Sequence, residues 1–165
     1  MANLENVTME DVRLIFRNFA GKEGQYNAEG DRNFGVILPP DVAEAMARDG
    51  WAVKWLRARE EGEEDTPWLQ VSVKYRGRAG NKVRPPKVVM ITSRNRTFLD
   101  EDMIEMLDYA DIRTVDLIVR PYAWAVRDAS GVKAYLQTMF VTIEEDALEL
   151  KYAPMMDHGR DEDED

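Results

Sequence analysis

The segment Arg120-Pro121-Tyr122-Ala123-Trp124 sets a cation and two large rings at every second position. In an extended chain all three project from one face, while Val115, Leu117 and Val119 just upstream use the other. Rings and cations together suit a single-stranded nucleic acid, because every base offers a π-face and every nucleotide a phosphate. The competing account is a second small core on that side of a curved sheet, since aromatic side chains are usually buried. Rings stand beside cations elsewhere as well: Lys54 with Trp55, Tyr75 between Lys74 and Arg76, and Lys133 with Tyr135.

The charge distribution points the same way. The 165 residues carry 32 acids and 22 Lys+Arg, for a net charge of −10. Six of the acids lie in the last nine residues and five more in Glu60 to Asp65. The body left over is neutral. Within it, Lys74, Arg76, Arg78, Lys82, Arg84, Lys87, Arg94 and Arg96 occupy one stretch without a single acid. A cationic stretch on an anionic protein suggests contact with a polyanion, against the plainer reading of solvated loop charges.

Other chemistries fare worse. There is no cysteine, and the single histidine, His158, sits among tail acids. Thiolate sites, histidine-rich metal sites and Ser-His-Asp catalysis are therefore disfavoured. Gly77-Arg78-Ala79-Gly80-Asn81-Lys82 lacks the spacing and the following Ser/Thr of a phosphate-binding loop. Only Ser72, Ser93 and Ser130 are present, none in a nucleophile elbow. A Mg²⁺ nuclease could draw on Asp108, Asp111 and Asp116, or on Glu149 with Lys151. In so acidic a chain such spacings arise by chance, and no local pattern singles out a glycosidase pair. No catalytic residue, metal or cofactor is expected.

The elements that must position these groups are mostly strands. Val12, Leu14 and Phe16 share a face; Phe34, Val36 and Leu38 share another; Phe16, Phe34 and Phe140 all read as core. Gly21 to Arg32 reads as a long loop. Pro39-Pro40-Asp41 starts a short helix with Val42, Ala45 and Met46 inward, ended by Gly50. A strand from Trp51 to Arg59 follows, then the acidic loop, then Leu69, Val71, Val73 and Tyr75 alternating. A basic loop over 77–86 leads to a buried strand, Lys87 to Thr92. A second helix is expected from Asp100, with Leu99 stapling onto Ile104 and a stripe of Met103, Met106, Leu107 and Ala110. A long hairpin closes the domain, its turn at Asp128-Ala129-Ser130-Gly131. About seven strands with two short helical insertions make the expected fold mainly β, an OB-like barrel over residues 1–152. Residues 153–165 form an acidic tail expected to be disordered. With no membrane span and no leader in the first fifteen residues, a soluble cytoplasmic protein is expected.

Phe19-Ala20-Gly21-Lys22-Glu23-Gly24-x-Tyr26-Asn27-x-x-Gly30-x-Arg32-Asn33-Phe34 resembles the opening of single-stranded DNA-binding proteins of tailed phages that infect actinobacteria and related hosts. Pro85-Pro86-Lys87-Val88-Val89, Arg120-Pro121-Tyr122-x-Trp124 and Gly131-Val132-Lys133-Ala134-Tyr135-Leu136 are similar to the same family, in order from about Phe16 to Tyr152. The resemblance implies an OB-type barrel that coats single-stranded DNA in phage replication or recombination, in the host cytoplasm. It does not name the residues that touch DNA. Chemistry assigns phosphates to Arg32, Lys74, Arg76, Arg78, Lys82, Arg84, Lys87 and Lys133, bases to Tyr26, Tyr122, Trp124 and Tyr135, and a further DNA contact to Arg120. The acidic tail would be where replication or recombination proteins dock. It ends Asp161-Glu162-Asp163-Glu164-Asp165 rather than in an aromatic residue, which departs from many replication-type binding proteins. A reading from another class is an acidic protein-interaction module that mimics DNA.

Overall fold

In the computed structural model, which describes residues 4–77, 83–145 and 151, the alternating segments become nine strands of one sheet. They are β1 (Val7–Met9), β2 (Leu14–Asn18), β3 (Arg32–Ile37), β4 (Val53–Leu56), β5 (Thr66–Val73), β6 (Lys87–Ile91), β7 (Arg96–Phe98), β8 (Ile112–Val126) and β9 (Ala129–Ile143). The path runs β1-β8-β9-β5-β3-β2, with β4 added to β5, and β6 lying between β9 and β7. All pairings are antiparallel except those of β9 with β5 and with β6. Both ends of this path belong to one N-terminal segment, since β1 pairs with β8 and β2 with β3. Between them Asp11 takes φ +51, and its N–H donates to Asp116 Oδ1 at 2.8 Å. Val12 N–H then donates to Val115 O at 2.9 Å, and Ile37 N–H to Arg13 O at 3.1 Å. The sheet therefore curls into an OB-like barrel whose ladder is not fully closed.

Inward residues of every second position fill the barrel. Phe34 and Val36 of β3, Leu69 and Val71 of β5, Leu117 and Val119 of β8, and Leu136 and Met139 of β9 are all buried. Phe19 stacks on Phe34 with ring centroids 5.0 Å apart. Each such side chain contributes roughly 1.5–3 kcal/mol by leaving water. Helix α1 (Pro40–Arg48) packs Ala43 and Met46 against this core, with Val42 half-buried and Ala45 exposed, and Gly50 ends it at φ +97. Parity changes once along β9: Leu136 pairs with Val119 but Thr138 pairs with Ile118, so Gln137 is an extra residue.

Several expectations need correction. The strand expected over Trp51 to Arg59 shortens to β4, with Trp51 buried beside Val132. The hairpin turns at Arg127 and Asp128, where Arg127 takes φ +54, not at Gly131. Gly131 instead pairs with Trp124, whose ring comes within 3.0 Å of where a Cβ would stand. Phe140 is half-buried, and Phe16 is 58% exposed at a bulge with φ +50. The second helix is a short 3₁₀ turn, Ile104–Asp108, so α1 is the one α-helix of the expected two insertions. Asp100 does cap that segment, accepting from Asp102 N–H and Met103 N–H at 3.0 Å each, and Leu99 and Ile104 are buried. Arg17 Nη1 takes the carbonyls of Leu107 and Ala110, both at 2.8 Å, which a longer helix would need for its own N–H groups. Met103 and Met106 consequently face outward. The expected tail lies outside the described residues.

Two of the candidate nuclease acids, Asp108 and Asp116, have structural work instead. Asp108 accepts from Phe19 N–H at 2.6 Å and Ala20 N–H at 3.0 Å, while Asp116 holds Asp11. Among the described residues no three acids or histidines gather as a metal site, and Glu149 lies outside them. Asp108→Asn should cost about 1.5–3 kcal/mol of stability, the range for hydrogen bonds to a charged acceptor. Chemical denaturation checks this; a loss below about 0.5 kcal/mol would mean that the carboxylate is not what holds the 19–20 turn.

Candidate nucleic-acid interface

Residues of the other parity face outward. In register across five strands they form a row: Asn18 of β2, Asn33 of β3, Ser72 of β5, Tyr135 of β9 and Arg120 of β8. On the next level Lys133 pairs with Tyr122, and beyond that Gly131 with Trp124. Tyr122 meets Tyr135 edge-on, with centroids 5.5 Å apart. Two ammonium groups reach the Tyr135 ring, Lys74 Nζ at 5.7 Å and Lys133 Nζ at 5.6 Å. Tyr122 remains 53% exposed, so this is no second core; Trp124, at 39%, lies flat over Gly131.

Beside the row opens a groove of about 520 Å³, lined by Tyr26, Arg32, Asn33, Ser72, Lys74, Arg76 and Lys133 among others. One wall is the loop between β2 and β3. Gly21 takes φ +69 there and lies so close to Gly30 that a Cβ would stand 3.0 Å from its carbonyl carbon. Gly30 N–H donates to Gly21 O at 2.8 Å, and Asn33 Nδ2 donates to Asn27 Oδ1 at 2.7 Å. This bracing leaves Tyr26 94% exposed at the rim.

The thirteen residues expected at the site therefore divide. Tyr26, Arg32, Lys74, Arg76 and Lys133 share the groove, and Arg120, Tyr122 and Tyr135 adjoin it. Arg32 is partly committed, since its Nη1 donates to Phe19 O at 2.6 Å; Arg76 pairs with Glu101 on the same wall. Trp124 lies further out on the hairpin. Arg84 is exposed ahead of β6, and Lys87 sits at the far half of β9, over Phe98 and Phe140 at 5.6 and 5.9 Å. Arg78 and Lys82 lie outside the described residues. Sequence reasoning missed Asn33, Gln70 and Ser72, which line the groove. The alternation of Leu69, Val71, Val73 and Tyr75 carried the signal, since it leaves Gln70 and Ser72 on the face of Lys74 and Arg76, but uncharged polar residues on a strand's outer face do not by themselves mark a site.

Burial sets the tyrosines. It pushes Tyr135 up, Tyr122 adding to the effect and Arg120 opposing it. Tyr75 is pushed up to about 12, chiefly by burial, with Arg32 opposing and Asp100 and Glu101 adding. Its hydroxyl donates to Leu99 O at 3.1 Å. An unfolded tyrosine titrates near pH ~10, so from there to about 12 the folded chain keeps a proton that the unfolded chain has lost. Stability should be fully present below pH ~10 and fall as pH rises through this window. In Tyr75→Phe that alkaline loss should be reduced, as read by denaturation at stepped pH; an unaltered slope would assign the loss elsewhere.

Residues 1–163 match the family described as "Putative phage ssDNA-binding domain". The single-stranded DNA-binding protein of bacteriophage Enc34 in complex with ssDNA has a similar structure, with TM-score 0.53 and 11% identity, covering 86% of this chain and 88% of that one. A C-terminal truncation of the Enc34 protein matches with TM-score 0.52 and 12% identity, over 86% and 87%. At that identity the likeness is one of fold. No curated protein sequence matches significantly. With a match spanning nearly its whole length, the chain belongs to the phage ssDNA-binding domain family.

Proposed function

We propose that this chain coats single-stranded DNA with little regard to sequence, across the outward face of its barrel, and that it performs no catalysis. The observation that carries this is the Tyr122–Tyr135 pair, with Lys74 and Lys133 over one ring and Arg120 beside it, opening onto the groove. Bases stack on the two rings, with Tyr26 and Trp124 further along. Phosphates meet Lys74, Lys133 and Arg120, and the charges of Arg78, Lys82 and Arg84 add to the attraction for the strand. Duplex DNA fits poorly because its base faces are already stacked on one another. The setting is phage DNA replication or recombination in the host cytoplasm; no described helix is long and apolar enough to cross a membrane.

Labelled oligo-dT titrated against duplex DNA at several salt concentrations tests the reading. Single strands should bind more tightly, and log affinity should fall linearly with log salt, by about 0.7 per phosphate contact. Lys74→Ala with Lys133→Ala should therefore flatten the slope by about 1.4. An unchanged slope would remove both lysines from the phosphate path, and equal affinity for duplex would overturn the stacking model.

The acidic segment 153–165 acts in this proposal as a tethered competitor for the cationic face, at an effective concentration of order millimolar. DNA displaces it and frees it for replication or recombination proteins. Ending the chain after Met156 should tighten binding at low salt, and the gain should shrink as salt screens the tail. Equal affinities for the two forms at low ionic strength would reduce the tail to a solubility device.

A further inference from the structure

A second pair of rings stands on the same outward face, away from Tyr135. Phe16 of β2 meets Trp68 of β5 edge-on, with centroids 5.0 Å apart. Three independent features hold this pair in place. Phe16 takes φ +50, a region that bulky side chains rarely adopt, at the bulge between Ile15 and Asn18, and its ring is left 58% exposed. Strain of this kind persists only where the surroundings enforce it, and it concentrates at functional sites. The neighbouring Gly35 has no Cβ, and one placed there would stand 2.7 Å from Trp68 Cε3, so the indole lies close against the sheet. Lys54 of β4, directly across from Trp68, holds its ammonium 5.2 Å from the indole centroid and donates to Gln70 Oε1 at 3.1 Å. Strained backbone, a glycine-levelled floor and a cation thus converge on an aromatic pair whose Phe16 ring is exposed and whose Trp68 ring is half-buried.

We infer that Phe16 and Trp68 form a second base-stacking platform for the same DNA strand, with Lys54 meeting its phosphate. The inference rests on the proposal that single-stranded DNA crosses this face. Trp68 lies four residues from Ser72 along β5, about 13 Å, and Ser72 is in register with Tyr135. The outward side chains between are Gln70 and Ser72, small enough and polar enough to let a backbone pass. At the ~3.4 Å spacing of a stacked strand, the gap corresponds to about four nucleotide steps. The DNA therefore runs obliquely, following β5 for most of the distance while crossing from β9 toward β2. An oligonucleotide too short to span the gap occupies the Tyr135 end, where Lys74, Lys133 and Arg120 gather.

The test compares oligo-dT of about three and about twelve nucleotides, both within or near the site sizes of one OB fold. Phe16→Gly removes a ring while giving φ +50 to the residue that tolerates it, so this variant should fold; Trp68→Leu removes the other ring, with thermal melting as the control. Each should lower the ratio of long- to short-oligomer affinity by about tenfold. Tyr135→Leu should weaken both lengths. If both Phe16→Gly and folded Trp68→Leu keep the wild-type ratio while Tyr135→Leu weakens both lengths, the second platform is wrong and the first stands. If wild-type protein binds neither length, or Tyr135→Leu changes neither, the binding reading itself has failed.

Discussion

One edge of β9 is shared by two parallel partners, and the rest of the molecule is arranged around that division. A strand has two edges; β8 takes one over nearly the full length of β9. On the other, β5 holds Ala134 and Tyr135, and β6 holds Thr138 to Thr142. The chain leaving β5 must therefore return to the same edge only a few residues further along. Lys74, just past β5, holds its ammonium 5.7 Å from the Tyr135 ring, and Lys87, at the start of β6, pairs with Thr138. Two cations thirteen residues apart in sequence are thereby held at neighbouring positions along β9.

How legible this was in the sequence depended on whether period two held. Along β3, β5 and the first part of β8 it does, and Phe34, Val36, Leu69, Val71, Leu117 and Val119 are buried as their alternation requires. The same parity put Arg120 and Tyr122 outside. It fails where a residue is inserted: Phe16 turns outward at its bulge, and Gln137 shifts the phase before Phe140. The segment after Asp100 misled for a different reason. Its carbonyls answer to Arg17, ninety residues away in sequence, and no local pattern announces such a partner. The hairpin turn was displaced because Gly131 serves the Trp124 ring rather than a turn.

An acidic protein with a cationic face also shows how little net charge says about a partner. Five acids fall in the exposed loop before β5, whereas the outward row across β3, β5, β9 and β8 carries none. Within about a Debye length, roughly 8–10 Å, a phosphate senses its neighbours far more than the total. The acids of the groove wall are themselves few, and Glu101 is neutralised by Arg76.

The N-terminal segment that supplies both ends of the sheet carries a consequence for how the chain is made. β1 leaves the ribosome first, yet its partner is Leu117 to Val119, more than a hundred residues later. At about 5–20 residues per second it waits roughly 6–22 seconds for that strand to be synthesised. Until then β2, at the opposite end, can pair with β3, and β3 with β5, while the barrel stays unrolled. Contacts of such long sequence separation form slowly, because the entropy of a large loop must be lost before they help. Nascent chains of this protein thus pass through a half-built sheet with an open flank.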